Sequence, residues 1–188
     1  IIPRGGTIRK TASSARFMTV EGRKCAFDQL AKNRIDALVA IGGDGTFAGA
    51  RLLYLEHGIP VVGLPGTIDN DLFGTNNSIG FDTAINTAIG AVDKIRDTAD
   101  AHNRLFLIEV MGRHSGFIAL YTAIASGASA MVIPEREVDL DWLISDLQGA
   151  INRKKLFGLV IVAEGNPLGS VEELARKLQE RIHEYEVK

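Results

Sequence analysis

Ile35-Asp36-Ala37-Leu38-Val39-Ala40-Ile41-Gly42-Gly43-Asp44-Gly45-Thr46 is the stretch on which the fold turns. A short apolar run, Ile35 to Ile41, stops at paired glycines, and helical spacing takes over from about 46 to 57. The same alternation extends in both directions. Upstream, residues 22–34 place Cys25, Phe27, Leu30 and Ala31 on one side of a helix. Downstream, Pro60 to Leu64 reads as a strand, Pro65 to about Ser78 as a long polar loop, and 81–99 as a helix carrying Ala84, Ile85, Ala88, Ala91, Val92 and Ile95. Leu105 to Val110 is the next strand, followed by a helix to about 126, a strand from Ala130 to Ile133, a helix from Asp139 to Lys155, a strand from Leu159 to Ala163 and a helix over 171–186. Several strands are unbroken apolar runs. Strands of that kind, alternating with helices, predict an α/β fold with parallel sheets sandwiched by helices.

Composition narrows the function classes. The 188 residues suffice for one large domain or two small lobes, and the 46% hydrophobic content allows a core. A net charge of −2 offers no reason to expect nucleic acid or a membrane as partner. No run of 18 apolar residues occurs, and the opening Ile1-Ile2-Pro3-Arg4-Gly5-Gly6 has no signal-peptide pattern. Cys25 is the single cysteine, so neither an internal disulfide nor a thiolate metal site is expected, and a reducing cytoplasm fits. There is no initiator methionine, and Glu184-Tyr185-Glu186-Val187-Lys188 alternates as if starting a strand. Both ends read as cuts through a longer protein.

Ligands in such folds gather at the carboxyl ends of strands. The residues there are Gly42-Gly43-Asp44-Gly45, Pro65-Gly66-Thr67-Ile68-Asp69-Asn70-Asp71, Met111-Gly112-Arg113 and Glu164-Gly165-Asn166. Turns explain the glycines but not the repeated charges. Gly43-Asp44-Gly45-Thr46-Phe47-Ala48 resembles the dinucleotide pattern G-x-G-x-x-G/A, in which glycines and a helix N-terminus receive phosphate. The ribose-binding acid about 20 residues on is missing, and no Walker lysine pattern is present. Asp44 either caps the following helix or carries a cation to phosphate oxygens.

Asp69 and Asp71, two residues apart, fit an Asx-rich turn or an acid/base pair with metal handling. The EF-hand pattern fails because Phe73 stands at a ligand position. Arg104 and Arg113 bracket a strand; each suits phosphate oxygens, or is an ordinary surface arginine. His114 beside Arg113 reads as incidental. Glu164 ends an apolar strand, where a hydroxyl-rich ligand would partner it.

Taken together, Gly42-Gly43-Asp44-Gly45-Thr46, the Pro65–Asp71 stretch, Met111-Gly112-Arg113 and Ala163-Glu164-Gly165 resemble the ATP-dependent 6-phosphofructokinase family in order and spacing. Ser14-Ala15-Arg16 and Asp36-Ala37-Leu38-Val39 join the match, which covers essentially the whole chain. The resemblance implies two Rossmann-like lobes with the active site between them. Residues 1–80 would form a partial nucleotide-binding lobe, and 81–188 a sugar-phosphate-binding lobe incomplete at its end. It implies transfer of phosphoryl from MgATP to the 1-hydroxyl of fructose 6-phosphate. Asp69 would be the base, Thr67 and Asp71 would support substrate, metal and phosphoryl group, and Arg113 would stabilise the transferring charge. Asp44 would hold Mg²⁺, and Arg16, Gly43, Gly45 and Thr46 would line the nucleotide. Met111, Gly112 and Glu164 would position the sugar phosphate. Arg104 would reach a neighbouring subunit's site, in a homotetramer. Arg96, Arg153 and Lys155 match basic members of the family's effector site, whose carboxylate position falls on Ser129.

Pyrophosphate-using relatives tend to carry Asp at the position of Gly45 and Lys at that of Gly66, so the glycines here favour ATP. A pyrophosphate-dependent enzyme, an inactive ligand-binding fragment and, on the glycine pattern alone, a nicotinamide-dependent oxidoreductase are the alternatives. The family also has an N-terminal strand with a glycine-rich loop and further C-terminal basic residues, so the isolated 188 residues are expected to turn over poorly.

Overall fold

The computed structural model describes residues 14–102, 104–152, 158–183 and 186–188. The backbone divides into two compact units, the first ending at Pro65 and the second starting at Gly66. The division comes earlier than the expected boundary near 80, so the Thr67–Asp71 segment goes with the second unit.

In the first unit a 3₁₀ turn, Ala15–Met18, leads into helix α1, Val20–Lys32. Thr19 caps α1, its hydroxyl accepting from the Gly22 N–H at 3.0 Å. Gly22 must be glycine, since a Cβ there would lie 1.8 Å from the Arg16 carbonyl oxygen. Strand β1, Leu38–Gly42, helix α2, Asp44–His57, and strand β2, Val61–Pro65, complete a βαβ unit. Its strands pair in parallel from Leu38 with Val61 to Gly42 with Pro65. The apolar run beginning at Ile35 enters the strand only at Leu38, because Arg34 takes a left-handed φ of 56° as the chain leaves α1.

The first unit is held by an internal ion pair. Arg23 of α1 is 6% exposed, and its guanidinium meets both carboxylate oxygens of Glu56 on α2 at 2.6 and 2.7 Å. It also donates to the carbonyls of Phe17 and Met18 at 3.2 and 2.9 Å. One arginine thus satisfies the 3₁₀ turn and joins two helices. The hydrogen bond from Arg23 holds the Glu56 carboxyl below its usual range.

The second unit opens with a loop over 66–80. Helix α3, Phe81–His102, and strand β3, Arg104–Val110, follow. Helix α4 is Phe117–Ser126, strand β4 is Ala130–Val132, and helix α5 is Leu140–Asn152. Strand β5, Gly158–Ala163, helix α6, Val171–Gln179, and strand β6, Glu186–Val187, close the unit. The sheet order is β4-β5-β3-β6, with every pairing parallel.

Every residue of β5 is buried, as expected for a strand covered on both faces. Val160 and Val162 join Leu105 and Val132 in packing against Leu143, Leu147, Leu174 and Leu178 of α5 and α6. Leu159, Ile161 and Ala163 point the other way, against Val92 of α3 and Ala119 of α4. Each fully buried Leu, Ile or Val side chain contributes roughly 1.5–3 kcal/mol, so the sheet position of β5 is strongly determined.

The helix expected over 171–186 ends at Gln179. The start is as patterned, with the Ser170 hydroxyl accepting from the Glu173 N–H at 3.2 Å. The end differs because Ile182 is drawn into the core at 0% exposure, which turns the chain toward β6. There Glu186 and Val187 pair with Arg104 and Leu105, in line with the alternation of the last residues. Among the described residues no helix is long and apolar enough to cross a membrane.

Candidate active site

The turn after β3 is built from unusual backbone angles. Gly112 has φ 147° and Arg113 φ 53°, and the Ser115 N–H closes the turn onto the Gly112 carbonyl at 2.9 Å. A Cβ on Gly112 would lie 2.3 Å from the Ser115 carbonyl oxygen, so only glycine fits. The turn after β5 packs against it. The Glu164 N–H bonds the Val110 carbonyl at 3.0 Å, and the Glu164 carboxylate accepts the Arg113 N–H at 2.5 Å. Gly165 approaches so closely that a Cβ would sit 1.8 Å from the Arg113 carbonyl oxygen. Buried Asn166 braces this turn, donating to the carbonyls of Ala163 and Gly169 at 3.0 and 3.1 Å.

The 66–80 loop meets the first of these turns. The Asp69 N–H donates to the Thr67 hydroxyl at 3.1 Å, and the Ser115 hydroxyl donates to the Asp69 carbonyl at 3.1 Å. The loop is shut by Asn70, which takes a left-handed φ of 57°. Its side-chain oxygen accepts from Ser78 N–H at 2.7 Å and its amide donates to the Asn76 carbonyl at 3.2 Å. The turn-forming role therefore falls to the asparagine between the two aspartates, a residue that tolerates left-handed geometry.

The Asp69 carboxyl is held above the ordinary aspartate range. Burial is the main cause, and the charge of Asp71 adds to it; the Thr67 hydroxyl and the Arg113 guanidinium pull down, while Glu164 adds a further push upward. Thr67, Asp69, Asp71, Arg113 and Glu164 are thus one electrostatic neighbourhood. Met111 stands exposed beside them. Among the described residues the Arg113 guanidinium makes no side-chain hydrogen bond or salt bridge, which leaves it available to an anion. Sequence reasoning passed over Ser115, Asn70 and Asn166; a serine between glycine-flanked charges reads as a turn former.

The remaining expected site residues belong to the first unit or to other elements of the second. In the first unit Gly43 is the residue before α2, and Asp44 opens the helix exposed, with no hydrogen bond or salt bridge among the described residues. Asp44 is therefore not the helix cap. A Cβ on Gly45 would meet nothing within 4 Å, and Gly42 leaves room for the Thr46 hydroxyl, 2.3 Å from where its Cβ would be. Arg16 lies against Cys25, its guanidinium 3.5 Å from the sulfur. Arg104 begins β3, at the opposite end from Met111, and bonds Glu186 at 2.8 Å. Arg96 donates to the Ser126 carbonyl and keeps a buried Nε without a partner. Ser129 is engaged with β5, its hydroxyl accepting from the Leu159 N–H at 3.4 Å. Arg153 and Lys155 fall outside the described residues.

No group of three or more metal-ligating side chains occurs among the described residues. Asp44 stands as a single exposed carboxylate at a helix start; Mg²⁺ sites that include substrate phosphates use one or two carboxylates.

Comparison with known proteins places these turns in a family. The profile described as Phosphofructokinase matches residues 1–188. The chain is 53% identical over 182 residues to the ATP-dependent 6-phosphofructokinase of Cytophaga hutchinsonii, covering 97% of this chain and 56% of that one. The ATP-dependent 6-phosphofructokinase 1 of Thermus thermophilus gives the same identity and the same coverage. The chain thus spans a little over half the length of the curated relatives it matches. Among solved structures, phosphofructokinase from Saccharomyces cerevisiae superposes with a TM-score of 0.86 at 35% identity, over 97% of this chain and 28% of that one. A match along the entire sequence, together with that likeness of fold, means that the chain belongs to the phosphofructokinase family.

Proposed function

We propose that this chain carries the acid/base and phosphoryl-handling machinery of an ATP-dependent 6-phosphofructokinase, which converts MgATP and fructose 6-phosphate to ADP and fructose 1,6-bisphosphate. The observation that carries the reading is the Asp69 carboxyl, raised by burial and by Asp71, with the uncommitted guanidinium of Arg113 in the same neighbourhood. Asp69 takes the proton of the sugar 1-hydroxyl as its oxygen bonds the γ-phosphorus, and the bond from that phosphorus to the ADP oxygen breaks. A carboxyl held upward is a better proton acceptor than an ordinary aspartate.

Arg113 balances charge on the transferring phosphoryl group, and Thr67 and Asp71 steady it. Met111, Gly112 and Glu164 orient the sugar phosphate; one Glu164 oxygen fixes the Arg113 main chain and the other remains for a sugar hydroxyl. Gly43, Gly45 and Thr46 receive the nucleotide phosphates with Arg16, and the space beside Gly45 favours ATP over pyrophosphate. Asp44 holds Mg²⁺, which neutralises phosphate charge when bound. Arg104 serves a neighbouring subunit of a homotetramer, and Arg96, Arg153 and Lys155 receive a phosphate-bearing effector.

The test is a coupled assay of fructose 1,6-bisphosphate formation by the full-length protein carrying these residues, wild type and Asp69→Asn. Loss of about 10²–10⁴-fold in kcat is expected from removing the base. A wild-type protein that makes no product from MgATP and fructose 6-phosphate would sink the reading.

A further inference from the structure

Asp69 sits in a loop with no regular secondary structure, yet a base must be placed to a fraction of an ångström. A hydrogen bond from the Ser115 hydroxyl to the Asp69 carbonyl, at 3.1 Å, ties the 66–80 loop to the turn after β3; among the described residues, the loop's other hydrogen bonds run within it or to the first turn of α3. Ser115 is 5% exposed, so the bond is sheltered from water. Its position is set in turn by the start of α4. The Glu135 carboxylate, beyond β4, accepts the N–H of Gly116, the residue before α4, at 2.7 Å. Its second oxygen lies 2.5 Å from where a Cβ on Gly116 would be, alongside Ile133 at 2.6 Å. Gly116 is thus glycine so that a carboxylate can seat on the helix start, where its charge is favourable.

We infer that Ser115 and Glu135 are positioning residues for the reaction proposed above: Glu135 anchors the start of α4, and Ser115, one residue before Gly116, carries that anchor to the main chain of Asp69. The same short turn bears Arg113. The pair therefore keeps the base and the charge-stabilising guanidinium in register, although neither Ser115 nor Glu135 touches substrate. The inference rests on the proposed function for its consequence in turnover, but the linkage itself is a mechanical statement that can be measured without substrate.

The experiment uses the full-length protein with Ser115→Ala, Glu135→Ala and Glu135→Gln. Amide hydrogen exchange is followed in peptides spanning 67–72 and 112–117. Glu135→Ala is expected to speed exchange in both segments, although residue 135 lies in neither, and Ser115→Ala to speed it in 67–72. Glu135→Gln, whose amide oxygen still accepts the Gly116 N–H, is expected to restore wild-type exchange. In turnover, both alanine variants are expected to lose about tenfold or more in kcat with KM for fructose 6-phosphate little changed, as misplacement of a reacting group predicts, while Glu135→Gln keeps most of the wild-type rate. Unchanged exchange in 67–72 for both alanine variants overturns the inference, whatever the activity. Faster exchange in a protein whose wild type lacks kinase activity leaves the linkage standing and rejects the proposed function instead.

Discussion

The Glu164 carboxylate accepts the main-chain N–H of Arg113 at 2.5 Å. A side chain at the end of β5 thereby fixes the backbone of a residue held at φ 53° after β3. The strained conformation is stabilised from outside its own turn, and the guanidinium is presented from a fixed base.

That contact separates two roles of Glu164. Glu164→Gln keeps an acceptor for the Arg113 N–H, whereas Glu164→Ala removes it. Alanine is expected to lower kcat by about tenfold or more through the displaced turn, and glutamine to cost mainly affinity for the sugar phosphate. Steady-state kinetics on the full-length protein distinguish them; equal kcat losses in both variants would count against the bracing role.

The raised Asp69 carboxyl has a sign that can be checked. With Asp69 as the proposed base, turnover would need it ionised, so the acid limb of the kcat profile should lie above the pH at which an ordinary aspartate, about 3.9, titrates. Asp71 pushes the Asp69 carboxyl upward. Asp71→Asn should therefore move the acid limb to lower pH, even where it reduces the plateau rate. For stability the same shift means that ionising Asp69 works against the fold, so Asp69→Asn should leave the melting temperature unchanged or slightly higher. A shift of the acid limb to higher pH in Asp71→Asn would contradict the electrostatic account.

Gly45 offers a test of donor choice. Since a Cβ there meets nothing within 4 Å, Gly45→Asp should fold normally and place a carboxylate in space proposed for the α-phosphate. Activity with ATP is expected to fall by about tenfold or more through like-charge repulsion, with the melting curve preserved. Unchanged ATP kinetics would remove the donor argument.

The Arg23–Glu56 pair predicts an acid sensitivity of the first unit. Glu56 has its carboxyl lowered by the hydrogen bond from Arg23. Its contribution to stability is therefore present above the ordinary carboxylate range and lost as pH falls through the lowered folded value. Glu56→Gln should flatten that acid dependence in thermal denaturation. Arg23→Met should lower the melting temperature at neutral pH, because Glu56 and the carbonyls of Phe17 and Met18 lose a donor together. A melting curve unmoved by Arg23→Met would show the pair to be dispensable.

The alternation of strand and helix was legible because strands such as β1, β2 and β5 are short and apolar and helices such as α2, α3 and α4 begin after a glycine. β5 is the clearest case: Leu159 to Ala163 reads as an unbroken apolar run and is buried at every residue. Boundaries were harder where a tertiary contact overrides local pattern. Helical spacing continues past Gln179, yet burial of Ile182 ends α6, a demand no local window contains. Asp69 and Asp71 stood out by charge. Ser115 did not, since its partner lies 46 residues away and is a main-chain oxygen, which any residue provides. Asn70 shows the same limit in reverse: its value is its tolerance of left-handed geometry, which becomes visible only with the backbone angle.

The complete burial of β5 has one more outcome, which concerns how its unit fails with heat. Glu164 follows directly on the strand most deeply enclosed in its unit, and such a strand opens only when the unit itself melts. A side chain mounted there cannot fray away in advance of the rest. The turn that it clamps should hold its working shape up to the edge of the melting transition, so loss of that shape and cooperative unfolding of the unit should share one temperature.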